Sequence, residues 1–301
     1  MTKQLDHCIG LRFLSKETIH SILDQALLLK QGKCTVDLSN QIVVHLFFEP
    51  STRTRLSFEI ATQKCQAAPM LIDIETSSLS KGESLLDMVK NIAAMNTNAL
   101  IVRHSNGGVP YFISQHVPIP VINAGDGYHE HPSQGLLDMF TIKERLGDLS
   151  GKHVLILGDI MHSRVAKSNI WGLKKCGAKV SVAGPANLIP NVVQEFGVDI
   201  CTDLDAVLPT VDAVNVLRIQ FERQHGIELP TIEEYRRLFG MTLERQQLLQ
   251  KHAVILHPGP INRGIELDSD VADGDQNVIL NQVENGVFVR MAMLNMCMET
   301  L

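Results

Sequence analysis

Short apolar, β-branched runs alternate along this chain with longer segments of helical periodicity, and that alternation restricts the fold more than any other feature. Residues 42–48 and 70–74 read as strands, with a helix over 53–66 between them. A helix over 83–95 carries Leu85, Met88, Val89, Ile92 and Met95 near the 3.6-residue period. Strands at 99–102 and 120–122 follow, then a helix over 133–146 that stops at Gly147. A second series begins with a strand at 153–158 and a helix over 163–176. It continues with strands at 179–183, 213–217 and 253–257 and closes with a helix over 284–299. The apolar residues of that last helix (Val287, Val289, Met291, Met293, Leu294) suit core packing. Strands separated by helices need crossover connections, which implies parallel sheets with helices on both faces. The expected class is α/β, with two doubly wound parallel-sheet domains over residues 1–147 and 148–283. The polar stretch 220–237 reads as a mobile loop.

Composition narrows the functional classes. With 301 residues, 45% hydrophobic and 20% charged, the chain can fill two domain cores. The net charge of -6 and the lack of a Lys/Arg run argue against a general nucleic-acid binder. No apolar run approaches the roughly 20 residues of a membrane span, and the N-terminus has no signal-like apolar stretch. Cys8, Cys34, Cys65, Cys176, Cys201 and Cys297 form no CxxC and read as reduced thiols of a cytoplasmic protein. Only Gly158 stands where a dinucleotide fingerprint needs three glycines, and no GxxxxGK[ST] occurs, so nicotinamide and ATP chemistry are disfavoured. His129 and His131 have no evident third partner, so no metal site is expected.

The strand at 42–48 runs directly into Glu49-Pro50-Ser51-Thr52-Arg53-Thr54-Arg55. Three hydroxyls and two guanidiniums therefore fall where the next helix begins, beside free backbone N–H groups and the positive end of the helix dipole. Such a set can surround a dianionic phosphate, with Arg binding it bidentately. On the residues alone, an ordinary helix start with solvated arginines stays open. So do surface ion pairs for Arg103, Arg164 and Arg218, a structural role for His131 and a solvated Lys81.

Phe48-Glu49-Pro50-Ser51-Thr52-Arg53-Thr54-Arg55 resembles the carbamoyl-phosphate signature of the transcarbamylases. Further segments resemble that family in order: Ser77-Ser78-Leu79-Ser80-Lys81-Gly82-Glu83, Val102-Arg103-His104, His131-Pro132-Ser133-Gln134 and Leu256-His257-Pro258-Gly259-Pro260. The likeness spans nearly the whole chain. One departure is Gly259, where some members carry leucine. Two features favour aspartate over ornithine as the acceptor: Arg164 beyond the first strand of the second half, and Arg218 beyond a later one. In the aspartate enzymes the matching arginines clamp the two carboxylates. The ornithine enzymes' HCLP and SMG motifs are missing from this sequence.

The resemblance implies attack of the aspartate amine on the carbonyl carbon of carbamoyl phosphate, a tetrahedral intermediate, and loss of phosphate. It implies no cofactor. It assigns Ser51, Thr52, Arg53, Thr54 and Arg103 to the phosphate, and Thr54, Arg103 and His131 to the carbonyl oxygen. Gln134 and the Pro258–Gly259 loop orient the carbamoyl amide, and Arg164, Arg218, Gln220 and Lys81 bind aspartate. Ser77 and Lys81 are expected to serve the site of a neighbouring chain, which implies a homotrimer. A larger assembly with regulatory or dihydroorotase-type chains stays open. The active site is expected in a cleft between the domains, with residues 284–301 packing back on the first. Other acceptors and a non-catalytic scaffold are the competing readings.

Overall fold

The computed structural model describes residues 5–74, 82–219 and 230–298. The chain divides into two compact units, Met1–Phe140 with Glu284–Leu301 and Thr141–Val283. In the first unit, helix α1 (Lys16–Lys30) precedes β1 (Ile42–Phe47), α2 (Thr52–Lys64), β2 (Ala68–Ile72), α3 (Leu85–Ala94), β3 (Ala99–His104), α4 (Val109–Ser114) and β4 (Val121–Asp126). Helix α5 (Pro132–Leu146) crosses the division between the units. The second unit continues with β5 (His153–Leu157), α6 (Arg164–Lys175), β6 (Lys179–Ala183), β7 (Asp199–Ile200), α7 (Leu204–Val207) and β8 (Ala213–Val216). Then come α8 (Ile232–Phe239), α9 (Leu243–Leu248), β9 (Val254–Leu256), α10 (Ser269–Ala272) and α11 (Ile279–Met298).

The strands form one sheet of order β2-β1-β3-β4 and another of order β7-β6-β5-β8-β9. Every pairing between these strands is parallel, as the βα alternation requires. Central strands β1, β3 and β5 are buried along almost their whole length, which is why they read as unbroken apolar runs. Val44, Leu46, Met88, Val89, Ile92, Leu100 and Val102 make one core. Leu155, Leu157, Val214, Val216, Ile255 and Leu267 make that of the second unit.

The stretch expected as a mobile loop, 220–237, needs correction. Residues 220–229 lie outside the described residues, but Ile232–Phe239 is a helix. Thr231 Oγ1 accepts from the N–H of Glu234 at 3.1 Å, and the Glu234 carboxylate accepts from the N–H of Thr231 at 3.0 Å. This reciprocal capping box satisfies orphan donors at the helix start. Tyr235 then anchors the helix in the core of the unit, wholly buried. The last helix also starts earlier than its apolar stripe suggests, at Ile279. Strand β2 begins at Ala68, with Pro69 tolerated because β2 is an edge. Strand β4 runs on through the polar residues Asn123 to Asp126, for a reason found in the site.

Candidate functional site

Both sheets have a topological switch point. In the first, the chain leaves β1 toward β2 on one side and later adds β3 on the other. In the second, β6 and β7 lie on one side of β5, and β8 and β9 on the other. Crevices at the carboxyl ends of such strand pairs are where open α/β sheets bind ligands. Ser51 to Thr54 follow β1, and Arg103 is the last residue but one of β3. Arg164 follows β5, and Arg218 follows β8. Ser51 to Thr54, Arg103, Arg164 and Arg218 thus flank the two switch points, whereas His131 and Pro258 follow the outer strands β4 and β9.

At the first point, Ser51 is the N-cap of α2 with extended backbone (φ -162°), and its hydroxyl makes no cap hydrogen bond. The N-cap serines of α1, α3 and α6 differ: Ser15, Ser84 and Ser163 each accept a hydrogen bond from a first-turn N–H. The start of α2 also carries no acidic residue in its first turn, so the positive field of its N–H groups and dipole is not offset by a carboxylate of that turn. Thr54 is buried in the first turn, whereas Thr52 and Arg53 are exposed. Arg55 turns along its own helix to Glu59 at 3.2 Å. A cavity of about 480 Å³ adjoins this turn, lined among others by His45, Ser51, Thr52, Arg55, Ile72 and Ile74. His45, on β1, hydrogen-bonds Thr62 Oγ1 at 3.3 Å. Burial, with a smaller push from Arg55, lowers its pKa to about 4.

Register brings Arg103 into place. Phe47 pairs with Arg103 across β1 and β3, so Glu49 lies just beyond it. The Arg103 guanidinium meets Glu49 Oε1 at 2.7 Å and donates to the Ala124 carbonyl at 3.3 Å. The sequence reading quoted Glu49 as part of the motif but missed this role.

His131 is buried on the turn into α5, and its carbonyl accepts the N–H groups of Gln134 and Gly135. Its Nδ1 lies 3.4 Å from Ser133 Oγ. Gln134 Nε2 donates to Asp138 Oδ1 at 2.8 Å, leaving Oε1 to accept. A buried polar network supports this turn. Asn123 donates to the Ile9 carbonyl and to Asp126 Oδ1, both at 2.8 Å. Asp126 accepts from the N–H of Gly108 at 2.6 Å and pairs with His129 Nδ1 at 3.0 Å. Glu130 accepts from the N–H of Leu11 at 2.8 Å. These bonds explain why β4 tolerates polar residues at its carboxyl end. His129 is therefore held by Asp126. Among the described residues, no cluster of three or more His, Cys, Asp or Glu could hold a metal ion.

At the second point, backbones approach too closely for side chains. A Cβ on Gly184 would lie 2.2 Å from the Gly158 carbonyl oxygen. Asp159 holds the next turn by accepting from the N–H of His162 at 3.0 Å, and Arg164 then opens α6, nearly buried. Arg218 is half-buried beyond β8. The Pro258–Gly259 loop is fixed from within. His257 Nδ1 accepts from the N–H of Gly259 at 2.7 Å, and Nε2 meets Glu266 Oε1 at 3.2 Å. Gly259 has φ +62°, which glycine adopts without the cost that a side chain would add. Ser77, Lys81 and Gln220 lie outside the described residues.

Comparison with known proteins defines the class. The model of the aspartate/ornithine carbamoyltransferase carbamoyl-P binding domain matches residues 6–144, and that of the Asp/Orn binding domain matches residues 150–297. The chain belongs to the aspartate/ornithine carbamoyltransferase family. It is 50% identical over 299 residues to an aspartate carbamoyltransferase catalytic subunit of Moorella thermoacetica, covering 98% of this chain and 97% of that one. It is 48% identical over 291 residues to the corresponding subunit of Gemmatimonas aurantiaca, covering 95% and 91%. Among solved structures it resembles aspartate transcarbamoylase from Trypanosoma cruzi in complex with N-(phosphonacetyl)-L-aspartic acid. The TM-score is 0.88 at 27% identity, with 97% and 95% of the chains covered. Ornithine carbamoyltransferase from Pyrococcus furiosus superposes nearly as well, with TM-score 0.86, 25% identity and 100% and 98% coverage. The fold is thus common to both acceptor classes. No helix among the described residues is long and apolar enough to cross a membrane.

Proposed function

We propose that the chain transfers the carbamoyl group of carbamoyl phosphate to the amine of L-aspartate, giving N-carbamoyl-L-aspartate and phosphate, in de novo pyrimidine biosynthesis in the cytoplasm. One observation carries the choice of acceptor: two arginines, Arg164 and Arg218, flank the switch point of the second sheet. Two guanidiniums match the two carboxylates of aspartate, whereas ornithine offers one carboxylate and a cationic end. The names of the half-identical relatives support the same choice.

In this reading residues 1–147 form the carbamoyl-phosphate domain, completed by 284–301, and 148–283 the aspartate domain. Ser51, Thr52, Arg53, Thr54 and Arg103 hold the phosphate, helped by the uncapped start of α2. Thr54, Arg103 and His131 donate to the carbonyl oxygen as it becomes an oxyanion. With Nε2 held by Asp138, Gln134 accepts from the carbamoyl NH2 through Oε1, and the Pro258 carbonyl takes the other hydrogen. Gln220 and Lys81 join Arg164 and Arg218 on aspartate. The departing phosphate takes the amine proton, so the route needs no separate base and no metal or organic cofactor.

The assembly is read as a homotrimer in which Ser77 and Lys81 complete a neighbour's site. Edge strand β2 supports this, because it exposes Met70 and Leu71 immediately before that segment, and Leu56 on α2 is also exposed. This reading leaves room for a larger assembly with regulatory or dihydroorotase-type chains.

The test is a product assay on the purified chain, with carbamoyl phosphate and either aspartate or ornithine. Carbamoyl aspartate is expected. Citrulline would overturn the acceptor, and no product from either amine would overturn the reaction.

A further inference from the structure

Gln134 and Asp138 stand one turn apart on α5, both buried, and their side chains share a hydrogen bond, Gln134 Nε2 donating to Asp138 Oδ1 at 2.8 Å. Such an i,i+4 pair supports a helix by itself. The chemistry of the two groups adds a second consequence. A glutamine side chain ends in a donor and an acceptor of nearly the same shape, so half a turn about its last torsion exchanges them at little steric cost. A carboxylate only accepts. Asp138 therefore selects one of the two orientations, with the Gln134 NH2 toward the carboxylate and Oε1 away from it.

Asp138 also has a charged setting within the first unit. Arg290 of α11 is buried, and its guanidinium carbon lies 4.9 Å from the centre of the Phe58 ring of α2. Burial pushes the Arg290 pKa down to about 10, and the Asp138 carboxylate opposes that fall. Gly286, one turn earlier on α11, leaves the room this guanidinium fills. A Cβ there would collide with Arg290 Nη1 and stand 3.1 Å from Leu137 Cδ2. The last helix thus packs a cation against the turn of α5 that carries Asp138.

We propose that Asp138 sets the specificity for the carbamoyl donor: it fixes the Gln134 amide so that the site accepts a carbamoyl NH2 and rejects an isosteric carboxylate. The proposal rests on the functional reading above, which brings the carbamoyl group to Gln134. A ligand NH2 meets Oε1 and gains a hydrogen bond. A ligand carboxylate meets the same Oε1 with no hydrogen between two acceptors, and both lose hydration without a partner. A glutamine free to turn would offer its NH2 instead and bind the carboxylate. Asp138 acts through Gln134 and does not touch the substrate, so it is a positioning residue.

The test uses three competitive inhibitors against carbamoyl phosphate: phosphonoacetamide, which carries an amide, phosphonoacetate, which carries a carboxylate in its place, and inorganic phosphate. Asp138→Asn offers Gln134 either an oxygen or an NH2, so the glutamine amide can turn. Phosphonoacetate should then bind roughly tenfold tighter, the worth of one hydrogen bond to a charged group. Phosphonoacetamide should weaken only about twofold, because half the molecules still hold the competent orientation. Inorganic phosphate, which does not reach Gln134 in this reading, should stay within about twofold. The preference for amide over carboxylate therefore falls by roughly tenfold or more. An unchanged preference would overturn the proposal, and so would an equal weakening of all three inhibitors, which marks Asp138 as general support for the site. Asp138→Asn also removes a carboxylate opposed to buried Arg290, and an unpaired buried charge endangers folding. Asp138→Asn with Arg290→Met removes both charges and should show the same fall in preference, its absence there again overturning the proposal. A wild-type chain that transfers no carbamoyl group to either amine overturns the functional reading and this proposal with it. An active wild type whose variants keep the preference overturns this proposal alone.

Discussion

Consider Arg103→Lys. The arginine fork meets Glu49 at 2.7 Å and the Ala124 carbonyl at 3.3 Å, and in the proposed reaction it also binds phosphate and the carbonyl oxygen. An ammonium keeps the charge beside Glu49, but it cannot reproduce the fork. Methionine would be a poorer probe, because it strands the nearly buried Glu49 carboxylate, at a cost of about 3–5 kcal/mol. With lysine the folding loss is one backbone hydrogen bond, about 1 kcal/mol, or a fall of about 2–4 °C in the melting midpoint. The ligand side loses a charge-assisted bond worth roughly 1.5–3 kcal/mol. That is roughly a 10- to 150-fold rise in the carbamoyl-phosphate KM. Initial rates with varied carbamoyl phosphate at saturating aspartate, beside a thermal melt, read both quantities. A melt lowered as expected with a KM within twofold of wild type would show that Arg103 serves Glu49 and not the phosphate.

Three other perturbations test separate links. His45 has a folded pKa of about 4, against an ordinary value near 6.5. Between those values the unfolded chain takes the proton and the folded one does not, so stability falls as pH drops through that window, by about 3 kcal/mol at pH 4. His45→Gln should flatten this loss in urea unfolding at pH 7 and pH 4.5, and an unchanged slope would show that His45 does not cause it. Thr231→Ala removes the capping box of α8 and should cost about 1 kcal/mol in the same assay, with a loss under 0.3 kcal/mol (about a quarter of that) counting against it. Lys81→Ala should abolish most activity while the chain stays folded by circular dichroism, and near wild-type rates would refute the shared trimer site.

How much was legible in the sequence depended on where side chains find their partners. The central strands were plain because parallel strands buried on both faces need unbroken apolar runs. Strand β4 looked short because Asn123 and Asp126 are polar, and only Ile9 and Gly108, far along the chain, with nearby Glu130, make them fit a strand. Helix α1 was overlooked although its signal was present. Ser15 caps it, and Ile19, Ile22, Leu23, Ala26 and Leu29 keep helical spacing. Helix α8 was lost inside a polar stretch, although Thr231 and Glu234 have the capping-box spacing. In the candidate site, the positions of Ser51, Thr54, Arg103, His131, Arg164 and Arg218 beside the strand ends followed from motif order. The Glu49–Arg103 pair and the network of Asn123, Asp126 and Glu130 did not. Each joins segments whose meeting depends on sheet register or long-range packing, which local pattern does not encode.

Helix α11 begins in the second unit at Ile279 and ends in the first, where residues from Glu284 onward belong. There the Leu5 N–H donates to the Met296 carbonyl, and Lys30 reaches Glu284 and Asn285. The unit made first is therefore completed last. On the ribosome, residues up to Phe140 emerge without the helix that covers them, while the second unit is already whole when Val283 emerges. Domains usually fold as units in the order of synthesis, but here the first unit takes its last helix from residues that follow the second. A chain interrupted within α11 would carry the second unit through Val283 and a first unit lacking the residues from Glu284 onward.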